Sequence, residues 1–538
     1  MAGRLCRRWM RQHDAGALLQ LLAPLPRDVC LVHANLALPL LWALITELQL
    51  DAAAALLESI EPALLQQDAA HPFPEPDNTL EACAVLLRLA GEESLATGQR
   101  LTLLTRLTEK PGPLQAELLN RYAALLYGSG HIPLAKAVAR RCLQVALQQD
   151  DVIQLQLART QMLLCDVAQG HLDALVAEAE QDAAALSQRR LADTTAPDPA
   201  LEVATAINDC TRAYLYYECG RVEMAEPLLV PALKRIAPCH FSLPLTLGAV
   251  TRARILLRSG QQRAAERMLE QLDELVDIQR NHRLRAFVCF EKMRQRLASG
   301  TQADDLIARY ELNAQPVHVE TLFREQFQEE HLFWLKSRIM ALLMSGDHAT
   351  ASEYALKGVI KSLNIGSYRH LASFYLFKAL SEFHLGRYQD AKATGNRALE
   401  LCWQHGYRQL LVDNARALQD LWRQMQRLGD LSTLPDVEFL RELLPGPEPV
   451  RVVQPAVPAG GNRSDLRRDL GLTEKEVEIL ALLAEGLCNK KIGSRASIAL
   501  TTVKWHLQNV FSKLDVRNRT EAVLKAQDLG LLSGSAGR

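Results

Sequence analysis

Glycines recur at near-constant distance along most of this chain, and that spacing limits the possible fold more than any other feature. Gly91, Gly130, Gly170, Gly220, Gly260, Gly300, Gly346 and Gly386 each close an apolar stretch of helical character, at successive intervals of 39, 40, 50, 40, 40, 46 and 40 residues. Five residues later an alanine often follows: Ala96, Ala135, Ala225, Ala265, Ala351 and Ala391. One helical hairpin per interval accounts for both, with Gly accepting the positive φ of a tight turn and Ala letting the second helix lie close on the first. Such a repeat buries its apolar face only against its neighbours, so the hairpins must stack. The two longest intervals contain loop-like stretches, Leu191 to Ala200 and the region of Asn313 to Pro316. One period before Gly91, Leu41 to Leu57 has the same pattern without the glycine. Roughly nine hairpins are expected over residues 1–444.

An all-α chain agrees with the composition. Aromatic residues make up only 5% of the 538 residues, while Ala and Leu are abundant, which favours helices over sandwiches and barrels. The N-terminus is basic at Arg4, Arg7, Arg8 and Arg11, but Asp14, Pro24, Pro26, Arg27 and Asp28 interrupt the apolar run after it. No signal peptide or bilayer span is expected, and the reading is of a cytoplasmic protein without a membrane partner. Eleven cysteines are scattered from Cys6 to Cys488 with no Cys-x-x-Cys pair, so they read as small buried residues in a reducing compartment. No metal site, cofactor or enzyme is expected, because no zinc spacing, His-Glu-x-x-His, nucleophile elbow or Gly-rich cofactor loop occurs.

The clearest repeat, Phe374 to Tyr407, has Gly386, then Ala391 at +5 and Ala398-Leu399 at +12; Gly220, Ala225 and Ala232-Leu233 follow the same scheme. This resembles the tetratricopeptide pattern and implies a superhelix with a concave face able to hold an inducer or a protein partner. Most of its Leu, Ala and aromatic residues are expected to be core.

After Leu444 the composition changes. Residues 445–464 are rich in Pro and Gly and lack helical periodicity, as in a stiff, extended linker. Residues 465–532 then read as four short helices, with 533–538 a flexible tail. Thr473 and Glu476 form a capping box ahead of Val477, Leu480, Ala484 and Leu487. Asn489 can cap a second helix whose Ile492 and Ala496 face inwards. A third runs from about Leu500 to Leu514 on an apolar stripe of Val503, Leu507, Val510 and Leu514, and a fourth carries Ala522, Val523 and Ala526.

Charge marks this segment too. The whole chain has a formal net charge of −1, yet Asn489 to Arg519 holds Lys490, Lys491, Arg495, Lys504, Lys513, Arg517 and Arg519 against Asp515 alone. A short helix, a tight turn and a helix anchored by one apolar side is what a major-groove reader needs. Asn489 would then stand at the start of the crossing helix. Thr501 and Thr502, at the start of the third helix, suit phosphate oxygens, and Lys490, Lys491, Arg517 and Arg519 would neutralise phosphates. Lys504, Trp505 and Gln508 point away from the stripe, where Lys can reach guanine, Gln adenine and an indole edge a thymine methyl. Trp505 is equally open to packing on the linker, and His506 reads as structural or phosphate-contacting, not as a metal ligand.

The blocks Leu472 to Gly486, Asn489 to Ile492, Thr502 to Asn509 and Lys513 to Val516 resemble the LuxR/FixJ-type helix-turn-helix nearly end to end. The resemblance implies that the third helix, with Thr502, Val503 and Lys504, reads DNA and that the fourth pairs two copies on it. Lys491, Ala496 and Ala499 depart from that pattern, where Glu, Leu and a capping Ser are usual. Helical repeats followed by such a module resemble the MalT-like ATP-dependent regulators, in which an ATPase region precedes the repeats. No Gly-x-x-x-x-Gly-Lys-Ser/Thr loop occurs in these residues, so ATP binding is not expected. Two alternatives stand: a short regulator without ATPase control, or a chain whose start lies upstream of Met1. The resemblance implies double-stranded promoter DNA and RNA polymerase as partners, activation of transcription, and homo-oligomers on DNA. The alternative is a tetratricopeptide-type adaptor that binds proteins and no DNA.

Overall fold

The computed structural model describes residues 15–22, 25, 34–47, 49–65, 81–84, 86, scattered positions between 102 and 112, 114–170, 172–192, 198–239, 241–278, 281–312, 327–427, 473–484, 487, 489–496, and 503, 506, 507, 510, 511, 513, 516, 522, 523 and 526. These residues are helical or in turns, with no strand among them. The chain divides into two compact units, Met1–Pro445 and Gly446–Arg538. The expected loop at Asn313 to Pro316, the linker at 445–464, Gly91 and Ala96 lie outside the described residues.

The first unit begins with α1 (Ala15–Leu22), α2 (Ala34–Thr46) and α3 (Leu50–Leu65), which pack in sequence around Leu18, Leu41, Trp42 and Ile60. Hairpins then follow in order. They are α4 (Gln115–Gly128) with α5 (Ile132–Gln149), α6 (Val152–Gln169) with α7 (Leu172–Ala192), and α8 (Pro199–Glu218) with α9 (Val222–Ile236). Next come α10 (Ser242–Arg258) with α11 (Gln262–Ile278), α12 (His282–Ser299) with the short α13 (Asp304–Arg309), and α14 (Glu330–Ser345) with α15 (His348–Ile365). The array ends with α16 (Tyr368–His384), α17 (Tyr388–His405) and α18 (Arg408–Arg427).

The expected glycines make the turns. Gly130, Gly220, Gly260, Gly300, Gly346 and Gly386 have φ between 68° and 84°. In each case the next residue's N–H returns to the carbonyl five residues back, as Arg221 to Tyr216 (2.8 Å) and Arg387 to Glu382 (2.9 Å) do. That 6→1 bond closes a Schellman turn and satisfies a carbonyl the helix end leaves open. Gly170 differs: a Cβ there would run into the His405 ring at Nδ1, so close approach of two helices demands glycine independently of its φ of 98°. Ala135, Ala225, Ala265, Ala351 and Ala391 are fully buried, as a close helix crossing requires. Gly366 and Gly406, which also have positive φ, close turns between hairpins and form a second series, forty residues apart and offset by twenty from Gly346 and Gly386.

The two helices of a hairpin have different roles. In α8, α10, α12, α14 and α16 nearly every position around the helix is buried, whereas α5, α9, α15 and α17 bury a single stripe. First helices therefore form the inside of the array and second helices its outside. The stack also closes on itself. α6 packs on α16 and α8 on α18. Tyr407 donates its hydroxyl to the carbonyl of Val167 (2.8 Å), and Tyr217 donates to Asp413 (2.6 Å). Cys165, Cys210, Cys289 and Cys402 are buried, and burial pushes each thiol up to about 12, leaving them unreactive.

Inside this closed stack runs a chain of buried ions that the repeat pattern does not announce. Arg254 donates to Glu291 and to Glu218 (3.1 Å), Glu291 also accepts from Arg294 (3.0 Å), and Glu218 accepts from Arg369 (3.1 Å). Glu218 and Glu291 are each 1% exposed. Burial opposes their charge, but the facing guanidinium groups outweigh it, holding Glu291 at about 2 and Glu218 below the usual carboxylate range. These residues belong to α8, α10, α12 and α16, so the network ties successive and distant hairpins together.

Candidate nucleic-acid interface

The described residues of the second unit start at the expected capping box. Thr473 Oγ1 accepts from the N–H of Glu476 (3.3 Å), while Glu476 Oε2 accepts from the N–H of Thr473 (2.8 Å). Two open donors at the start of α19 (Glu474–Ala484) are thereby satisfied. Glu476 is 2% exposed and receives both hydrogen bonds of Lys513 Nζ, at 2.7 and 3.0 Å. Burial raises the cost of its charge, yet Lys513 and Thr473 hold the carboxyl below its ordinary value. Lys513 thus pins the third helical segment to the start of the first, and its charge is already compensated.

The buried face of α19 is Glu476, Ile479, Leu480 and Leu483. Of the face read from the sequence, Leu480 is on it, whereas Val477, Ala484 and Leu487 are only half-buried at its edge. Ile479 and Leu483 complete the i, i+3, i+4, i+7 stripe that period alone left undecided. In α20 (Asn489–Ala496), Ile492 and Ala496 face inwards as expected, and Lys475 donates to the Ala496 carbonyl (3.1 Å), closing the C-terminal end of this helix. Asn489 is the first residue of the helix itself, half-buried.

Val503, Leu507 and Val510 are helical and buried against Ile479, Leu480, Leu483 and Ile492, with Ala522 and Ala526 completing the core. The third helix is therefore anchored along the stripe the sequence indicates. Lys491 is exposed on α20, and Lys490 lies in the same helix. Thr501, Thr502, Lys504, Trp505, Gln508, Arg517 and Arg519 lie outside the described residues, as do Leu514 and Ala499. No cluster of metal-ligating side chains occurs among the described residues.

Residues 470–526 match the family of bacterial regulatory proteins, luxR family. The C-terminal unit carries a luxR-family helix-turn-helix domain. Over 67 residues the chain is 48% identical to the response regulator protein VraR of Staphylococcus aureus, and equally so to those of Staphylococcus saprophyticus and Staphylococcus epidermidis. That stretch is 12% of this chain and 32% of each relative, so the chain spans about a third of the length of the curated relatives it matches. A crystal structure of Rap protein complexed with competence and sporulation factor aligns over 78% of this chain and 97% of its own, at 13% identity and a TM-score of 0.39.

Proposed function

We propose that this protein is a sequence-specific transcription regulator that binds promoter DNA through its luxR-family domain and is controlled by its repeat unit. The observation that carries the reading is the burial of Val503, Leu507 and Val510, which fixes one side of the third helix to the core of that domain. Helical spacing then puts Thr502, Lys504, Trp505 and Gln508 off the stripe, on the side available to a major groove. Lys504 and Gln508 read bases, Thr501, Thr502 and Asn489 position the backbone, and Lys490, Lys491, Arg517 and Arg519 contact phosphates. Two copies occupy paired half-sites, and the linker raises the effective concentration of the second domain. A signal bound by the repeat unit, in residues 1–444, governs this pairing, and contact with RNA polymerase activates transcription.

The test is binding of the full chain to a promoter library at 50 and 200 mM salt. Four phosphate contacts per domain, eight for the pair, predict that affinity falls about ten-thousandfold between the two. Lys504→Ala is expected to weaken specific binding by about 1–3 kcal/mol and to relax preference at one base pair. No DNA affinity at either salt concentration would leave the repeats as a protein-binding adaptor.

A further inference from the structure

The closed repeat array leaves a pocket of about 50 Å³ between the N-terminal ends of α12, α14 and α16 and the C-terminal halves of α4, α6 and α8. That space holds only a few water-sized groups, which limits an occupant to a molecule of a few heavy atoms. Phe287 and Phe333 supply apolar wall, with ring centroids 5.0 Å apart. Leu164, Val167, Leu243, Leu247 and Leu284 extend that apolar wall, and the polar groups are confined to Tyr127, Tyr214, Arg283, Glu329, Ser367, Arg369 and His370.

Two buried groups are decisive. Ser367 (1% exposed) and His370 (6% exposed) both line the pocket, and among the described residues neither Ser367 Oγ nor His370 Nδ1 has a hydrogen-bond partner. Buried polar atoms of this kind are normally satisfied by protein, water or ligand, so two on one cavity wall mark hydrogen-bonding capacity that a bound molecule can take up. Ser367 stands at the cap position of α16, yet its hydroxyl takes no hydrogen bond from that helix. His370 Nε2 lies 3.1 Å from Glu329 Oε1. Burial opposes the charge of Glu329, but Arg283 and His370 hold it at about 2, so it is a carboxylate and accepts the Nε2 proton. Burial lowers His370 to about 4, keeping the ring neutral with Nδ1 as an acceptor.

Donors dominate the rest. Arg283 uses Nε on Glu329 (2.6 Å), and Arg369 uses Nε and Nη2 on Glu218. Their other guanidinium nitrogens make no hydrogen bond within the described residues, and neither do the hydroxyls of Tyr127 and Tyr214. Burial keeps both phenols protonated. Each lining guanidinium is ion-paired, Arg283 with Glu329 and Arg369 with Glu218, so what they offer the pocket is their remaining N–H donors and not a surplus of charge. The N-terminal end of α16 adds its positive dipole.

We propose that this pocket binds a small organic oxyanion, a carboxylate or phosphate ester that also carries a hydroxyl or amino donor. Its anionic end is held by Arg283, Ser367 and the start of α16, its donor bonds to His370 Nδ1, and its carbon skeleton lies on Phe287 and Phe333. This names the ligand class and site for the sensing role proposed above, and rests on that reading only for the effect on DNA.

The experiment is calorimetry and thermal unfolding of the full chain with D-glycerate, malate and glycerol 3-phosphate, against glycerol as the neutral analogue. At least one anion is expected to bind and raise the unfolding temperature at 10 mM (on the order of ten times the expected Kd) while glycerol does not. The carboxylate and phosphate arms decide which head group is preferred. Tyr214→Phe and Ser367→Ala, which each delete one hydroxyl, are expected to weaken binding about fivefold, and Arg283→Gln more than tenfold. Absence of binding by every anion, equal binding of glycerol, or unchanged affinity in Tyr214→Phe and Ser367→Ala overturns the proposal. None of these readouts uses DNA, so a chain that binds an anion but no promoter keeps this site and loses the regulatory reading.

Discussion

The two units of this protein place their charges in opposite ways. In the repeat unit Glu218, Arg254, Glu291 and Arg294 are all buried and neutralise one another across helices. The luxR-family domain buries one acid, Glu476, matches it with Lys513, and leaves Lys491 and Arg495 exposed. Hairpins that wrap until α6 meets α16 turn their first helices inward on all sides, so polar residues on those helices must find partners there. The small core around Leu480, Val503 and Ala522 needs only that one buried acid, and Lys491 and Arg495 remain at the surface.

The largest test of this contrast is Glu291→Ala. Removing it strands Arg254 and Arg294 in the interior, and a loss of about 3–5 kcal/mol is expected in the urea unfolding of the repeat unit. A loss below about 1 kcal/mol would mean that water reaches the network, and the contrast between a sealed interior and an open cationic surface would fail.

Acid sharpens the same comparison. His370 has its ordinary value near 6.5 in the unfolded chain and about 4 in the fold, so between these pH values the unfolded chain binds a proton that the native one does not. Stability is therefore full above about pH 6.5 and declines as pH falls towards 4, by up to about 3 kcal/mol from this residue. Burial lowers His331, His348 and His384 as well, which adds loss in the same direction. Urea midpoints of the repeat transition measured from pH 7 to 4.5 check this, and His370→Gln should make the slope shallower. An unchanged slope in that variant would contradict the assignment.

The smallest effect belongs to the second unit. Thr473→Ala removes half of the capping box and should destabilise the luxR-family domain by about 1 kcal/mol, read from the C-terminal unfolding transition. The repeat transition should not move. Coupled shifts would show that the two units do not unfold separately.

Much of both units is legible in the order of residues. Periodic glycines locate six Schellman turns, and the alanines five residues later are fully buried, because only small residues meet those backbone demands. Val503, Leu507 and Val510 are legible for the same reason: a stripe at offsets of 4 and 7 has one way to be buried. Gly366 and Gly406 lie off that series because they turn between hairpins, where Asp150, at φ 57°, closes the same 6→1 turn without glycine and so breaks the spacing. Lys513 is readable as a cation but not as the partner of Glu476, since 37 residues separate them. Among the residues expected to touch DNA, the structure bears on Asn489, Lys490 and Lys491.

By itself the sequence determined an all-helical chain of stacked hairpins followed by a helix-turn-helix module, because hydrophobic period, turn residues and caps act over a few neighbours. Tertiary structure alone decided what the hairpins enclose. Arg254 and Glu291 read as polar positions on separate helices until the stack closes, and Ser367 and His370 become the wall of one pocket only when α16 meets α6 and α14. Local patterns carry no information about which helix arrives from more than a hundred residues away, and that arrival sets the charge and hydrogen-bonding character of the interior.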